Sequence, residues 1–94
     1  MNSSTDMSFE IIVETEAGLH ILLAVASCRQ YAAILADSLF YGGRQRYQAI
    51  YVRDMSDPRK PVLMDIWPES YRDRQAHEQA LARYRKQFVK KENE

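Results

Sequence analysis

Residues 27–43, SCRQYAAILADSLFYGG, constrain the fold more than any other stretch, because they predict one well-delimited helix between two pairs of strands. Ser27 can accept a hydrogen bond from the backbone N–H of Gln30 while the Gln30 side chain reaches back, which is the capping-box pattern. Gly42 and Gly43 follow the last apolar residues, where glycine suits a left-handed helix cap. We therefore expect this helix to separate a first strand pair from a second.

This predicted helix is apolar over more than half of its circumference. At 100° per residue, one stripe is formed by Cys28, Tyr31, Ala32, Leu35 and Leu39. Its flanks carry Ile34, Phe40 and Tyr41. One face suits burial against a sheet, and the apolar flanks predict neighbours on more than one side.

Two strand patterns precede the helix. Phe9–Thr15 alternates along most of its length, and residues 19–26, LHILLAVA, are apolar on both faces. The short turn between them contains Gly18, and this arrangement predicts a β-hairpin. A rival interpretation fuses residues 19–40 into one helix. The capping box at Ser27 and the β-branched residues before it favour the strand.

A second hairpin and a second helix complete the pattern. Residues 46–54 and 62–67 are rich in strand formers, and Pro58 and Pro61 lie in the turn between them. A helix then begins at Pro68 or at a cap on Ser70 and runs to about residue 90, which at 1.5 Å per residue gives ~34 Å. We predict an α+β fold in the order β-β-α-β-β-α. It has a four-stranded, mostly antiparallel sheet, the capped helix on one face, and a long C-terminal helix.

Length and charge limit the classes of protein to consider. Ninety-four residues fit one domain, which we place at residues 8–90, with a disordered lead-in at 1–7 and a frayed tail at 91–94. The 13 basic and 13 acidic residues balance, which argues against a chain-wide binder of polyanions. The single cysteine, the absence of a membrane-length apolar run and the polar N-terminus predict a cytoplasmic protein.

Strand alternation predicts that both faces of the sheet are apolar. One face takes Phe9, Ile11, Val13, Leu19, Ile21, Leu23, Val25, Ile50, Val52, Val62, Met64 and Ile66. The other takes Ile12, His20, Leu22, Ala24, Tyr47, Ala49, Tyr51, Leu63 and Trp67. The first helix can cover only one of them. Burial of each large apolar side chain is worth ~1.5–3 kcal/mol, so something must cover the second face.

Two arrangements would cover that second face. The C-terminal helix can fold back over it, or the face can pair with a second copy of the chain; the dimer is slightly favoured. The predicted interface consists of Tyr47, Tyr51, Leu63, Trp67, Leu81, Tyr84 and Phe88. The helix is longer than a small domain needs, so we expect it to project or to pack along a partner. The predicted function is a non-enzymatic, homodimeric protein–protein interaction module.

The alternative prediction is a nucleic-acid-binding or regulatory accessory protein. One side of the C-terminal helix carries Arg72, Arg83, Lys86 and Lys90, which could contact successive phosphates. A solvated helix face explains the same pattern, and no nucleic-acid-binding motif accompanies it.

Nothing in the sequence predicts an enzyme, a metal site or a cofactor. His20 and His77 have no metal-binding spacing, and Cys28 lies on the apolar stripe of the first helix. Acidic residues around the second hairpin have basic neighbours, so ion pairing explains them: Asp54, Asp57, Asp65 and Glu69.

Overall fold

Two hairpins and two helices follow one another in the order that the sequence predicts. A computed structural model describes residues 8–89. Its elements are β1 (Phe9–Thr15), β2 (His20–Ala26), α1 (Arg29–Gly42), β3 (Tyr47–Asp54), β4 (Val62–Trp67) and α2 (Arg74–Phe88). The predicted β-β-α-β-β-α order and α+β class are confirmed, and residues 19–26 are not part of a helix. The predicted lead-in at 1–7 and tail at 91–94 lie outside the described residues.

The four strands form one antiparallel sheet in the order β2-β1-β3-β4. The strand β1 is central and pairs with both β2 and β3, while β4 pairs with β3. The two hairpins therefore meet along β1 and β3, and their outer strands, β2 and β4, become the two edges.

Helix α1 packs on one face of this sheet through small residues. Ala32 and Ala36 are fully buried, and their short side chains let the helix backbone come close to the strands. The cluster beneath them contains Phe9, Ile11, Val13, Ile50, Val52 and Trp67. This burial explains why the central helix forms, since a 14-residue helix is marginal without tertiary packing.

Helix α2 covers the opposite face of the same sheet. It buries Ala80 and Tyr84 against four residues of the strands: Ile12, Ala49, Tyr51 and Ile66. The chain's own helix thus folds back over the second apolar face, which is one of the two arrangements that the sequence left open. The molecule has three layers, with the sheet between the helices.

The helix boundaries differ from the predicted ones. The N-cap of α1 is Cys28, one residue after Ser27, and its Sγ accepts a hydrogen bond from the N–H of Tyr31 at 3.5 Å. Gly43 has φ −79°, so the predicted left-handed cap is wrong. A Cβ at Gly43 would lie 2.7 Å from the carbonyl oxygen of Leu39, so close backbone approach requires this glycine.

The C-terminal helix is shorter than predicted. It begins at Arg74, after an N-cap at Asp73 whose Oδ1 accepts a hydrogen bond from the N–H of Ala76 at 3.0 Å. Neither Pro68 nor Ser70 starts it. Its 15 residues span roughly 22 Å, and Ala80, Tyr84 and Phe88 pack it against the second face of the sheet. The prediction that this helix projects from the domain is therefore wrong.

Irregular strand pairing changes several face assignments. In β2, Ile11 pairs with Ala24 but Ile12 pairs with Leu22, so Leu23 is an extra residue. Because one extra residue reverses the alternation beyond it, the predicted faces are wrong for Ala24 and Val25.

Similar irregularities affect β3 and β4. Trp67 pairs with Ile50 and faces α1, and Ile66 pairs with Tyr51 and faces α2, the reverse of the prediction. Tyr47 packs against the α1 cluster and not on the second face. The cause is again an extra residue, at Met64 in β4 and at Gln48 in β3.

Candidate functional site

The edge strand β2 exposes a row of large aliphatic side chains. The exposed fractions are between 43 and 63% for Leu19, which directly precedes the strand, and for Ile21, Leu22, Leu23 and Val25 within it. The sequence predicted four of them, all except Leu22, for the core. That prediction fails because β2 is the outermost strand of the sheet that the described residues form, and because α1 covers this sheet mainly over β3 and β1.

One flank of α1 is tied to the opposite edge of the sheet. Arg29 Nε donates a hydrogen bond to Asp65 Oδ2 in β4 at 3.0 Å, and this hydrogen bond and the charge of Asp65 raise the pKa of the guanidinium. Further along the same helix, Asp37 Oδ1 accepts a hydrogen bond from Trp67 Nε1 at 3.1 Å. Both contacts turn this flank of α1 towards β4.

The other flank of α1 therefore lies on the β2 side. It carries Tyr31, which is 67% exposed, and Leu35, which is 39% exposed. Together with Leu19 and the four exposed aliphatic side chains of β2, they make this edge of the sheet apolar on both of its faces, and the whole set is here called the β2 edge surface. Its members are Leu19, Ile21, Leu22, Leu23, Val25, Tyr31 and Leu35.

The second edge strand, β4, is built differently. Pro61 precedes β4 and Pro68 follows it, and Asp65 places a carboxylate in the middle of the strand. Prolines and charged residues are the usual means by which proteins prevent edge strands from pairing with other chains. The strand β2, HILLAVA, has neither. Its only irregularity is the extra residue Leu23, so the two edges differ in how well they are protected.

A buried polar cluster joins the sheet to α2. Glu14 is 1% exposed; its Oε1 accepts a hydrogen bond from the Tyr51 hydroxyl at 2.6 Å, and its Oε2 accepts one from Arg83 Nε at 2.8 Å. The hydrogen bond and charge of Glu14 raise the pKa of Arg83. Burial raises the pKa of Tyr51, and Glu14 raises it further. The hydrogen bond between Glu14 and Arg83 holds α2 in place on the sheet. Because solvent scarcely reaches Glu14, the cluster offers no access for a substrate.

His20 packs beside this cluster. Its ring lies edge-on to Phe88, with centroids 5.2 Å apart, and 5.9 Å from the Tyr51 ring. Its Nε2 lies 3.5 Å from Glu14 Oε2, which is too long for a good hydrogen bond. The His20 ring thus packs against aromatic side chains at the N-terminal end of β2.

A shallow groove of about 410 Å³ runs between β4 and the second half of α2. Four of the seven predicted interface residues line it: Leu63, Leu81, Tyr84 and Phe88. Arg53 and Arg85 also border it, but Arg53 Nη2 donates to Glu10 at 2.6 Å and its guanidinium lies 5.0 Å from the Phe88 ring centre.

The other three predicted interface residues lie elsewhere. Tyr51 is fully buried beneath α2, while Tyr47 and Trp67 pack on the α1 side of the sheet. The structure therefore does not bring the seven residues together on one accessible surface. Of the two arrangements that the sequence left open, the C-terminal helix occupies the second face itself, and the slightly favoured pairing of that face with a second copy is not what the fold shows.

The predicted row of phosphate contacts is also divided. Arg83 is held by Glu14, and the Arg72 guanidinium lies 4.9 Å from the Tyr41 ring centre and 3.8 Å from Glu69 Oε1. Lys86 is exposed, and Lys90 lies outside the described residues. These contacts give Arg72 and Arg83 roles within the chain.

No feature of residues 8–89 positively indicates catalysis. Each acidic residue of the second hairpin region has its own partner: Asp54 with Ser56, Asp57 with Arg59, Asp65 with Arg29, and Glu69 with Tyr41. His77 Nδ1 lies 2.9 Å from the carbonyl oxygen of Pro68. Within the described part of the chain, no three histidine, cysteine or acidic side chains converge as a metal ion would require.

Comparison with known proteins adds no functional information. Neither the protein-family models, nor the curated proteins, nor the solved structures contain a match to this chain. Between residues 8 and 89, no helix has the length and apolar character needed to cross a membrane.

Proposed function

We propose that this protein is a non-enzymatic protein–protein interaction module that works as a homodimer. The observation that carries the proposal is the exposure of five large aliphatic side chains along this edge of the sheet, four on the edge strand β2 and Leu19 directly before it. Contiguous apolar patches of this kind on small proteins usually mark interaction sites, because their contact with water is unfavourable.

The size of the β2 edge surface suits a dimer. Summed over both faces of the sheet, the exposed fractions correspond to roughly 450 Å² on Leu19 and β2, and to roughly 700 Å² when Tyr31 and Leu35 are included. A stable interface buries about 800 Å² on each partner, of which about 65% is apolar in homodimers, so it needs about 500 Å² of apolar surface. The area available on one chain meets that requirement.

This proposal moves the interface from the place that the sequence predicted. The second sheet face is covered by α2, so an association through Tyr51 and Tyr84 would require that helix to leave. Nucleic-acid binding is not proposed, because Arg83 and Arg72 make contacts within the chain. The proposal includes a reducing, cytoplasmic compartment, since a sequence with one cysteine can form no internal disulfide.

Sedimentation equilibrium over a wide range of protein concentration tests the proposal. The expected result is a mass twice that of one chain, with reversible dissociation on dilution. A mass of one chain at every concentration up to the millimolar range would overturn it.

A further inference from the structure

We propose that two copies of the chain join through their β2 strands, antiparallel and around a two-fold axis perpendicular to the sheet, to form one eight-stranded sheet. This inference rests on the proposed self-association and specifies its geometry. It identifies the partner as a second copy of this chain and the joint as a backbone-paired strand.

The backbone of β2 provides the first reason. Within residues 8–89 the strand pairs only with β1, so about half of its N–H and C=O groups point away from the sheet. An antiparallel strand laid beside it would accept and donate hydrogen bonds to these groups. Since β2 contains no proline, none of its residues lacks an N–H for such pairing.

The side chains of β2 provide the second reason. The strand carries no acidic side chain, lysine or arginine, so a second copy brings no like charge against the first. Antiparallel pairing would set aliphatic side chains of one copy beside aliphatic side chains of the other, on both faces of the sheet. In an isologous joint both copies contribute the same surface, so that surface must be complementary to itself. An apolar strand without charged side chains meets this requirement.

The direction of the two-fold axis also brings α1 into the joint. Because the axis is perpendicular to the sheet, both α1 helices lie on the same side of the combined sheet. Tyr31 and Leu35 of each copy then face the joint on that side, while Leu22 and Val25 lie on the α2 side, opposite Ile12 and Glu10 of β1. The whole β2 edge surface is thereby covered.

Pairing through β2 ends at two copies. It uses up the unprotected edge of each chain and leaves β4, which has Pro61 and Pro68 at its ends and Asp65 in its middle, as the outer edge. The extra residue Leu23 limits regular pairing to the stretch on either side of it. A closed dimer, not an open fibre, is the consequence.

The test compares two matched valines on the two edges. Val25 in β2 is 60% exposed and lies opposite Glu10, while Val62 in β4 is 53% exposed and lies opposite Asp54. A lysine at either position faces a carboxylate on the neighbouring strand, so both variants should fold. Val25→Lys places a charge in the proposed joint, and Val62→Lys is its control.

Sedimentation then gives the dissociation constant of each variant. Val25→Lys should weaken the dimer at least about a hundredfold, because each copy loses a buried valine and gains a charge, whereas Val62→Lys should change it less than about threefold. A wild-type dimer that is insensitive to Val25→Lys, or equally sensitive to both variants, would show that the chain self-associates but not through β2. A monomeric wild type would instead refute the self-association itself.

Amide hydrogen exchange of the wild type provides a second measurement that depends on no variant. Amides of β2 that point away from β1 should be protected at high protein concentration and exchange faster on dilution, while those of β4 should exchange equally at both. Two results would contradict a dimer closed through β2. One is fast exchange of all outward β2 amides in a dimeric sample, and the other is a mass that keeps growing beyond two copies.

Discussion

The hydroxyl of Tyr51 donates a hydrogen bond to the carboxylate of Glu14 at 2.6 Å, and both side chains are almost fully buried. The tyrosine has one hydroxyl proton, and a second acceptor, the carbonyl oxygen of Ala80 in α2, lies 3.0 Å away. Arg83, also on α2, donates to the other oxygen of Glu14. Two adjacent strands and the helix above them are thus linked through one carboxylate, which fixes the position of α2 along the sheet.

Glu14→Gln should destabilise the fold. The amide can still accept the hydrogen bond from Tyr51, but it removes the charge that balances Arg83 and turns an N–H group towards that guanidinium. We expect a loss of about 1–3 kcal/mol in the free energy of unfolding, measured by urea denaturation. Glu16→Gln, in the exposed turn after β1, is the control and should change stability by less than about 0.5 kcal/mol. Equal effects of the two substitutions would show that the buried cluster does not anchor α2.

Stability should fall in alkaline solution because Tyr51 resists ionisation in the folded state. Burial and the neighbouring Glu14 raise its pKa above the unfolded value of 10.0. The native state therefore retains a proton that the unfolded chain loses, so the contribution of Tyr51 is fully present below pH 10 and is lost as the pH rises above it. The expected slope approaches about −1.4 kcal/mol per pH unit for this group.

Urea denaturation between pH 9 and about pH 11 measures this slope, and Tyr51→Phe should reduce it. Tyr41, whose pKa is raised to about 12 by burial and by its hydrogen bond to Glu69, adds a smaller dependence of the same sign. Tyr71→Phe is the control, since Tyr71 is largely exposed. An unchanged slope in Tyr51→Phe would contradict the assignment.

Local sequence signals predicted which elements form, because each is specified by neighbouring residues. Alternation marked β1, the short turn at Gly18 marked the first hairpin, and glycine there has φ 92° in the structure. The prolines near residue 60 marked the second turn. The fold class follows from these signals, since two hairpins and two helices have few ways to form layers.

The face that each strand residue occupies could not be predicted so well. Three extra residues in the strands reverse the alternation, and their positions depend on packing across strands that are distant in sequence. Trp67 was therefore assigned to the wrong face of the sheet. The pair of Glu14 and Arg83 joins residues 69 positions apart, and no local pattern reveals it.

The β2 edge surface was hidden from sequence analysis for a related reason. An uncharged strand that is apolar on both faces is typical of the middle of a sheet, covered on both sides. The order β2-β1-β3-β4 instead places it at the edge, because β1 pairs with β3 and leaves β2 outside. The apolar pattern of residues 19–26 is visible in the sequence. Whether it indicates a buried central strand or an exposed edge strand depends on the strand order, which is decided by tertiary pairing.

The N-terminus of α1 offers a direct test of the difference between the predicted and observed caps. The structure assigns the N-cap to Cys28, whose thiol is a weak hydrogen-bond acceptor, and not to Ser27. Cys28→Ser should therefore stabilise the fold by about 0.5–1 kcal/mol, because a hydroxyl is a better cap, while Ser27→Ala should change stability by less than about 0.5 kcal/mol. Thermal and urea unfolding measure both. If Ser27→Ala costs about 1 kcal/mol and Cys28→Ser is neutral, the helix begins at the capping box that the sequence predicts.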